Sequence, residues 1–184
     1  MLPFDPADLQ YEPLSEICPR EAFSCGAEIV DRWFREKAFT EHDRHFCRVT
    51  TIHAPSDPCP VAFYAVSVVA ERLTDKKSLI PNFRPDDKSY FPSLRLEWTA
   101  VRADLRGMGL GTIVMGRVLS VFKDMVNSTG IPALTLRPLN DRAESFYRGL
   151  EFIPFGARGL GPRMLLPAQK VIEARTALDR EAES

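Results

Sequence analysis

The chain has little of what marks a metal protein, a disulfide scaffold, a basic nucleic-acid binder or a membrane protein. Its four cysteines, Cys18, Cys25, Cys47 and Cys59, form no CxxC pair, and His42, His45 and His53 stand at no zinc-type spacing beside them. Structural thiols and no metal are therefore expected. Positive charge is not in excess. Lys plus Arg number 24 against 25 Asp plus Glu, a formal net charge of −1, which argues against a strongly basic surface for phosphate neutralisation but leaves room for a local patch. Apolar runs such as "PVAFYAVSVVA" fall short of the roughly 18 residues of a membrane span. "MLPFDPADLQ" lacks the basic-then-apolar layout of a secretion signal, so a cytoplasmic protein without a membrane partner is expected.

What is present is enough apolar residue for one substantial core: 184 residues, 45% hydrophobic. The expectation is a single domain over residues 1–184, with a core over about 20–166 and a charged tail at 167–184. Residues 1–26 read as irregular, ending at "FSCG", where Ser24 or Gly26 would cap a helix. In 27–39 the residues Ile29, Val30, Trp33, Phe34 and Ala38 recur at helical spacing, leaving Asp31, Arg32, Arg35 and Glu36 outward. "EHDRHF" then reads as a solvated turn, with no role for its histidines.

"FCRVTTIH" and "PVAFYAVSVVAE" read as antiparallel strands around a proline-containing turn, and 72–93 as the longest loop. "LRLEWTAV" is a strand with Leu94, Leu96, Trp98 and Ala100 on one face and Arg95, Glu97 and Thr99 on the other. Residues 110–126 carry one apolar helical stripe. "ALTLR" is a further strand. "NDRAESFYRGL" is a helix with Asn140 at its N-cap and Gly149 as its stop, and "EFIPF" and "RMLL" are the arms of a last hairpin. This order suits a mixed sheet with helices on both faces. There are 18 arginines against 6 lysines, and Arg137, Arg142, Arg148, Arg158 and Arg163 fall in the last third, as a solvated face or an anion-binding one.

The densest signal is "RADLRGMGLGT", three glycines within five positions between a strand and a helix. Backbone without Cβ atoms lets a ligand approach, and the first N–H groups of a helix, at the positive end of its dipole, favour an anion. The spacing excludes a Walker loop, which needs a Lys after its last Gly, and it does not fit the G-x-G-x-x-G dinucleotide fingerprint. What remains is R-x-x-G-x-G: Arg106, Gly107, Met108, Gly109, Leu110, Gly111.

That pattern resembles the acetyl-coenzyme A pyrophosphate loop of the GNAT superfamily of N-acetyltransferases. A second stretch, "LNDRAESFYRGLEFIPF", is similar to the family's next helix and strand, with Asn140, Ala143, Phe146, Tyr147, Gly149 and Phe152 in order. "FSCG", the following "WF" and "VAFYAVS" are similar to a bacterial branch that includes toxins acetylating the amino group of charged tRNA.

The resemblance implies an α/β (α+β) fold, a mostly antiparallel twisted sheet flanked by helices with a splayed central strand pair. It implies direct transfer of acetyl from acetyl-CoA to a primary amine, with no metal. The backbone of Ala100 and Val101 would pair with the pantetheine arm. Arg106, Gly107, Met108, Gly109, Leu110, Gly111 and Thr112 would cradle the pyrophosphate, with Asn140 as a further contact that its N-cap position also explains. Tyr147 would protonate the departing thiolate, the alternative being a core aromatic beside Phe146. From its place on the open face of its strand, and not from the resemblance, Glu97 would take the amine's proton through water, the alternative being a surface carboxylate paired with Arg95; members of the toxin-like branch work without a dedicated carboxylate base. Left open are the acceptor (charged tRNA, a small amine or a protein), an antitoxin partner, a homodimer, and a module that binds the coenzyme without turnover.

Overall fold

The alternating runs pair as their patterns require. The computed structural model describes residues 1–72, 79–80, 90–156 and 163–173. Its strands are β1 (Gln10–Pro13), β2 (Arg48–His53), β3 (Ala62–Arg72), β4 (Tyr90–Val101), β5 (Ala133–Leu136), β6 (Ile153–Phe155) and β7 (Arg163–Pro167), in the sheet order β1-β2-β3-β4-β5-β7-β6. The pairs β1–β2, β2–β3, β5–β7 and β6–β7 are antiparallel. β4 and β5 run parallel, as a strand-helix-strand crossover demands. The crossover helix is α3 (Leu110–Thr129). Helices α1 (Glu28–Glu36), α2 (Ala38–Asp43) and α4 (Asp141–Gly149) complete this mixed α/β architecture. Among the described residues, no helix is long and apolar enough to cross a membrane.

The chain groups into two compact units, and β3, β4 and α3 contribute residues to both. The first comprises Met1–Ser67 and Leu96–Val118. Its core is aromatic: the rings of Phe34 and Phe63 stack at 4.0 Å, Phe23 meets both edge-on, and Trp33 stacks on Trp98 at 5.1 Å. The second comprises Val68–Arg95 and Leu119–Ser184, with Phe91, Ala133, Phe155 and Leu165 packed together.

Several expectations change. Residues 10–13 are not irregular: they add β1 to the edge of β2, from Gln10 opposite His53 to Pro13 opposite Thr50. The expected helix over 27–39 ends at Glu36, and "EHDRHF" is only in part the solvated turn expected, since residues 43–46 are exposed but the segment begins in a helix. Its first three residues lie in α2, and His42 is buried, its Nδ1 accepting the Val49 N–H at 3.0 Å. Burial, then the charge of Arg48, lowers the His42 pKa, in keeping with a neutral acceptor. On α1, Ile29 is exposed and Asp31 is buried, the reverse of the amphipathic projection. Neither Ser24 nor Gly26 caps that helix; the N-cap is Ala27.

β4 starts four residues before its expected position, inside the segment read as a loop. Most of that segment, and the Gly-rich link of the last hairpin, lie outside the described residues. Arg163 is not on a solvated face. It is 8% exposed and donates from Nη1 to Oε2 of the buried Glu71 at 2.8 Å. Arg158 lies outside the described residues, while Arg137, Arg142 and Arg148 are exposed.

Candidate functional site

β4 delivers the chain to the glycine turn through a short, heavily tied approach. The Arg102 N–H donates to Val61 O at 2.9 Å and the Ala103 N–H to Ser24 O at 2.9 Å. Ala103–Leu105 then form a 3-10 turn that buries Leu105. The Arg102 guanidinium pairs with Asp104 and reaches Asp57 at 2.7 Å. These hydrogen bonds from Arg102 hold the Asp104 carboxyl below the usual carboxylate range. The acidic residue nearest the turn thus has a cation of its own, two positions away in the sequence, while the contact of Arg102 with Asp57 comes from 45 positions away.

The turn itself needs its glycines for two reasons. Gly107 and Gly109 have φ of +74° and +87°, where a Cβ is strained, and a Cβ built on either would meet nothing within 4 Å. The missing side chains therefore leave open space beside the backbone and relieve no crowding within the protein. The Thr112 and Ile113 N–H groups turn back to Gly109 O. The five consecutive amides from Gly107 to Gly111 make no hydrogen bond to any described residue. They stand at the N-terminus of the 20-residue α3, whose first turn contains no acidic residue. Unpartnered amides, a helix dipole and open backbone are the features that favour an anion. Leu110 is buried and offers the turn only its amide; Met108 and Thr112 are exposed at its rim.

Upstream, Ala100 and Val101 end β4 half-buried, and Ala100 packs on the aromatic core. Glu97 is also half-buried, and its Oε1 accepts the Ser67 hydroxyl at 2.6 Å. Arg95, the partner expected for Glu97, instead gives both Nε and Nη2 to Oε1 of Glu71, at 3.2 and 2.5 Å. These candidates, from Glu97 to Thr112, all belong to the first unit.

Asn140 and Tyr147 belong to the second. Asn140 is the N-cap of α4, its Oδ1 accepting the Ala143 N–H at 2.9 Å. Tyr147 is 7% exposed, set edge-on against Phe146 and Phe152, and its hydroxyl makes no hydrogen bond to a described residue. Burial pushes the phenol well above its ordinary pKa, so it holds its proton throughout the neutral range. The left-handed residue after α4 is Glu151, with φ of 65°, and not Gly149.

The model of the Acetyltransferase (GNAT) family matches residues 11–152. Among solved structures, the chain is similar to a Tyr-to-Phe variant of the toxin AtaT bound to the C-terminus of the antitoxin AtaR and acetyl-CoA. That match has 20% identity and a TM-score of 0.76, covering 92% of this chain and 99% of the other. It is similar to AtaT complexed with acetyl-methionyl-tRNA at 20% identity and a TM-score of 0.77, covering 91% and 99%. A Tyr-to-Phe variant of KacT matches at 20% identity and a TM-score of 0.78, again covering 91% and 99%. At such identity these likenesses show the fold.

Proposed function

The chain belongs to the acetyltransferase (GNAT) family, and from that premise we propose an acetyl-CoA-dependent N-acetyltransferase that transfers acetyl to a primary amine by direct attack. The observation that carries this reading is the row of five unpartnered amides beside two open glycines at the start of α3. A pyrophosphate suits it: the donors are neutral backbone amides at a helix N-terminus, and no acidic residue lies in the first turn of that helix. Gly107 to Gly111 hold the pyrophosphate through their N–H groups, with Arg106 and Thr112 at the rim. Ala100 and Val101 offer backbone groups to the pantetheine arm as a strand edge would.

Bound acetyl-CoA supplies an activated acyl group. The protein's own part is placement and proton traffic. Tyr147, whose phenol is protonated at neutral pH, donates its proton to the departing sulfur. Glu97, oriented by Ser67, removes the amine's proton through water. Glu97→Gln should then lower kcat/KM most at the pH where the amine is mainly protonated; a uniform profile removes that role. Asn140 serves α4 as its cap, and Asn140→Asp, which preserves the cap, tests for a separate coenzyme contact.

For the acceptor, the amino group of charged tRNA is favoured by the likeness to AtaT in complex with acetyl-methionyl-tRNA. A small-molecule or protein amine is the second reading, favoured by the net charge of −1. Acetylation of charged tRNA, a polyamine and a peptide amine in parallel separates them. The AtaT–AtaR complex likewise supports an antitoxin segment as a partner of this chain. Thermal unfolding with and without acetyl-CoA tests the core reading. At about 100 times its dissociation constant, a ligand stabilises by roughly 2.7 kcal/mol. No shift in the wild-type protein overturns the proposal, and equal turnover by Tyr147→Phe overturns the proton donor.

A further inference from the structure

Asp31, in the first turn of α1, is a carboxylate 4% exposed whose hydrogen-bond donors are all neutral. Its side chain reaches back to the turn before the helix. Oδ2 accepts the Ser24 hydroxyl at 2.8 Å and the Gly26 N–H at 3.2 Å, and Oδ1 accepts the Cys25 N–H at 2.7 Å. Burial alone would raise its pKa, but the hydrogen bonds from Cys25, Ser24 and Gly26 outweigh burial and keep it ionised. An apolar side chain would fill this place without the desolvation of a charge. What the carboxylate adds is the geometry of the turn.

That turn touches the approach to the glycine loop at two points. Ser24 O accepts the Ala103 N–H at 2.9 Å, fixing the first residue of the 3-10 turn. Gly26, with φ of +74°, lies under the Arg106 guanidinium, and a Cβ there would stand 3.4 Å from its Nη2. Ala103 and Arg106 are themselves joined, the Arg106 N–H donating to Ala103 O. We infer that Asp31 is a positioning residue for the coenzyme loop, setting the Ser24–Gly26 turn and through it the start of the amide row from Gly107 to Gly111. Amides that must converge on one anion lose affinity when their first residue drifts, because the order is no longer prepaid. This inference rests on the reading of the loop as the coenzyme site.

The test is calorimetric binding of acetyl-CoA to the full chain, with kcat and both KM values on an amine acceptor. Asp31→Asn should raise the acetyl-CoA Kd and KM about tenfold, with kcat at saturation and the acceptor KM within about twofold of wild type. Combined with Arg106→Ala, its effect should be less than multiplicative, since both act on one contact. A folded Asp31→Asn with the wild-type acetyl-CoA Kd overturns the inference, as does an equal fall in kcat and in affinity for both substrates. Should Asp31→Asn fail to fold, Ser24→Ala, which removes one surface hydroxyl, decides: a threefold weaker Kd supports the inference and an unchanged Kd ends it. Wild-type protein that binds no acetyl-CoA would end the loop reading first, and this one with it.

Discussion

Two regions of this molecule handle charge in opposite ways. In the first unit, the turn from Gly107 to Gly111 presents donors that no described residue satisfies, on backbone with open space around it. In the second, Glu71, 3% exposed, takes Arg95 on Oε1 and Arg163 on Oε2, while the Arg163 guanidinium stacks 4.7 Å from the Phe155 ring centroid. One arrangement has donors without a described partner; the other pairs its charges with one another, although the buried Arg163 Nε has no hydrogen-bond partner among the described residues. The charge cluster is thus tied up within the fold, and the proposed coenzyme site lies instead on a stretch with no charge in its amide row. Unsatisfied groups facing open space leave binding energy for a ligand, whereas paired buried charges have already given theirs to the fold.

Breaking the internal cluster should cost the most. Glu71→Ala removes the carboxylate that the buried Arg163 guanidinium pairs with and should lower stability by about 3–5 kcal/mol, a fall in Tm of about 10 °C or more. In whatever remains folded, the acetyl-CoA response should persist; its loss would show that the two regions are not independent. Next, Tyr147→Phe should reduce turnover about 100-fold while keeping acetyl-CoA binding and Tm near wild type, read from steady-state rates and melting curves.

Gly109→Glu should do the reverse of Glu71→Ala. The roughly 2.7 kcal/mol ligand stabilisation disappears, while the ligand-free protein loses about 1–2 kcal/mol for a side chain at positive φ. Equal ligand shifts in both proteins would mean the amides do not face the coenzyme. The smallest effect is with pH. Tyr147 binds its proton more tightly folded than unfolded, so its contribution is complete below its ordinary value of 10.0 and is lost as pH rises toward the folded value. Denaturant melts above pH 10 should show wild type losing stability faster than Tyr147→Phe, and parallel curves would contradict the buried phenol.

Much of this was legible in the chain. The stripe of α3, the C-terminal two thirds of β4 and the glycines between them follow from local sterics and periodicity, and they lie where their patterns put them. The α4 cap did too, because Asn140 satisfies an amide three residues away. What escaped were residues whose environment is made by distant segments. Asp31 and Ile29 exchanged faces because a helical projection sends every carboxylate outward, and it carries no information about the Ser24–Gly26 amides that reward this one for being inside. Arg163 read as surface because its partner is 92 positions away. β1 was missed since four residues with two polar side chains show no period, and only the open edge of β2 makes them a strand.

By itself, then, the sequence determined the strand-turn-helix that carries the amide row and the helix that carries Tyr147, through short-range backbone rules, while the family was legible only as a resemblance of two motifs. Only the tertiary structure decided which charges are available. Availability depends on burial and on partners brought together across the chain, and those follow from how the strands and helices pack, beyond the reach of any local pattern.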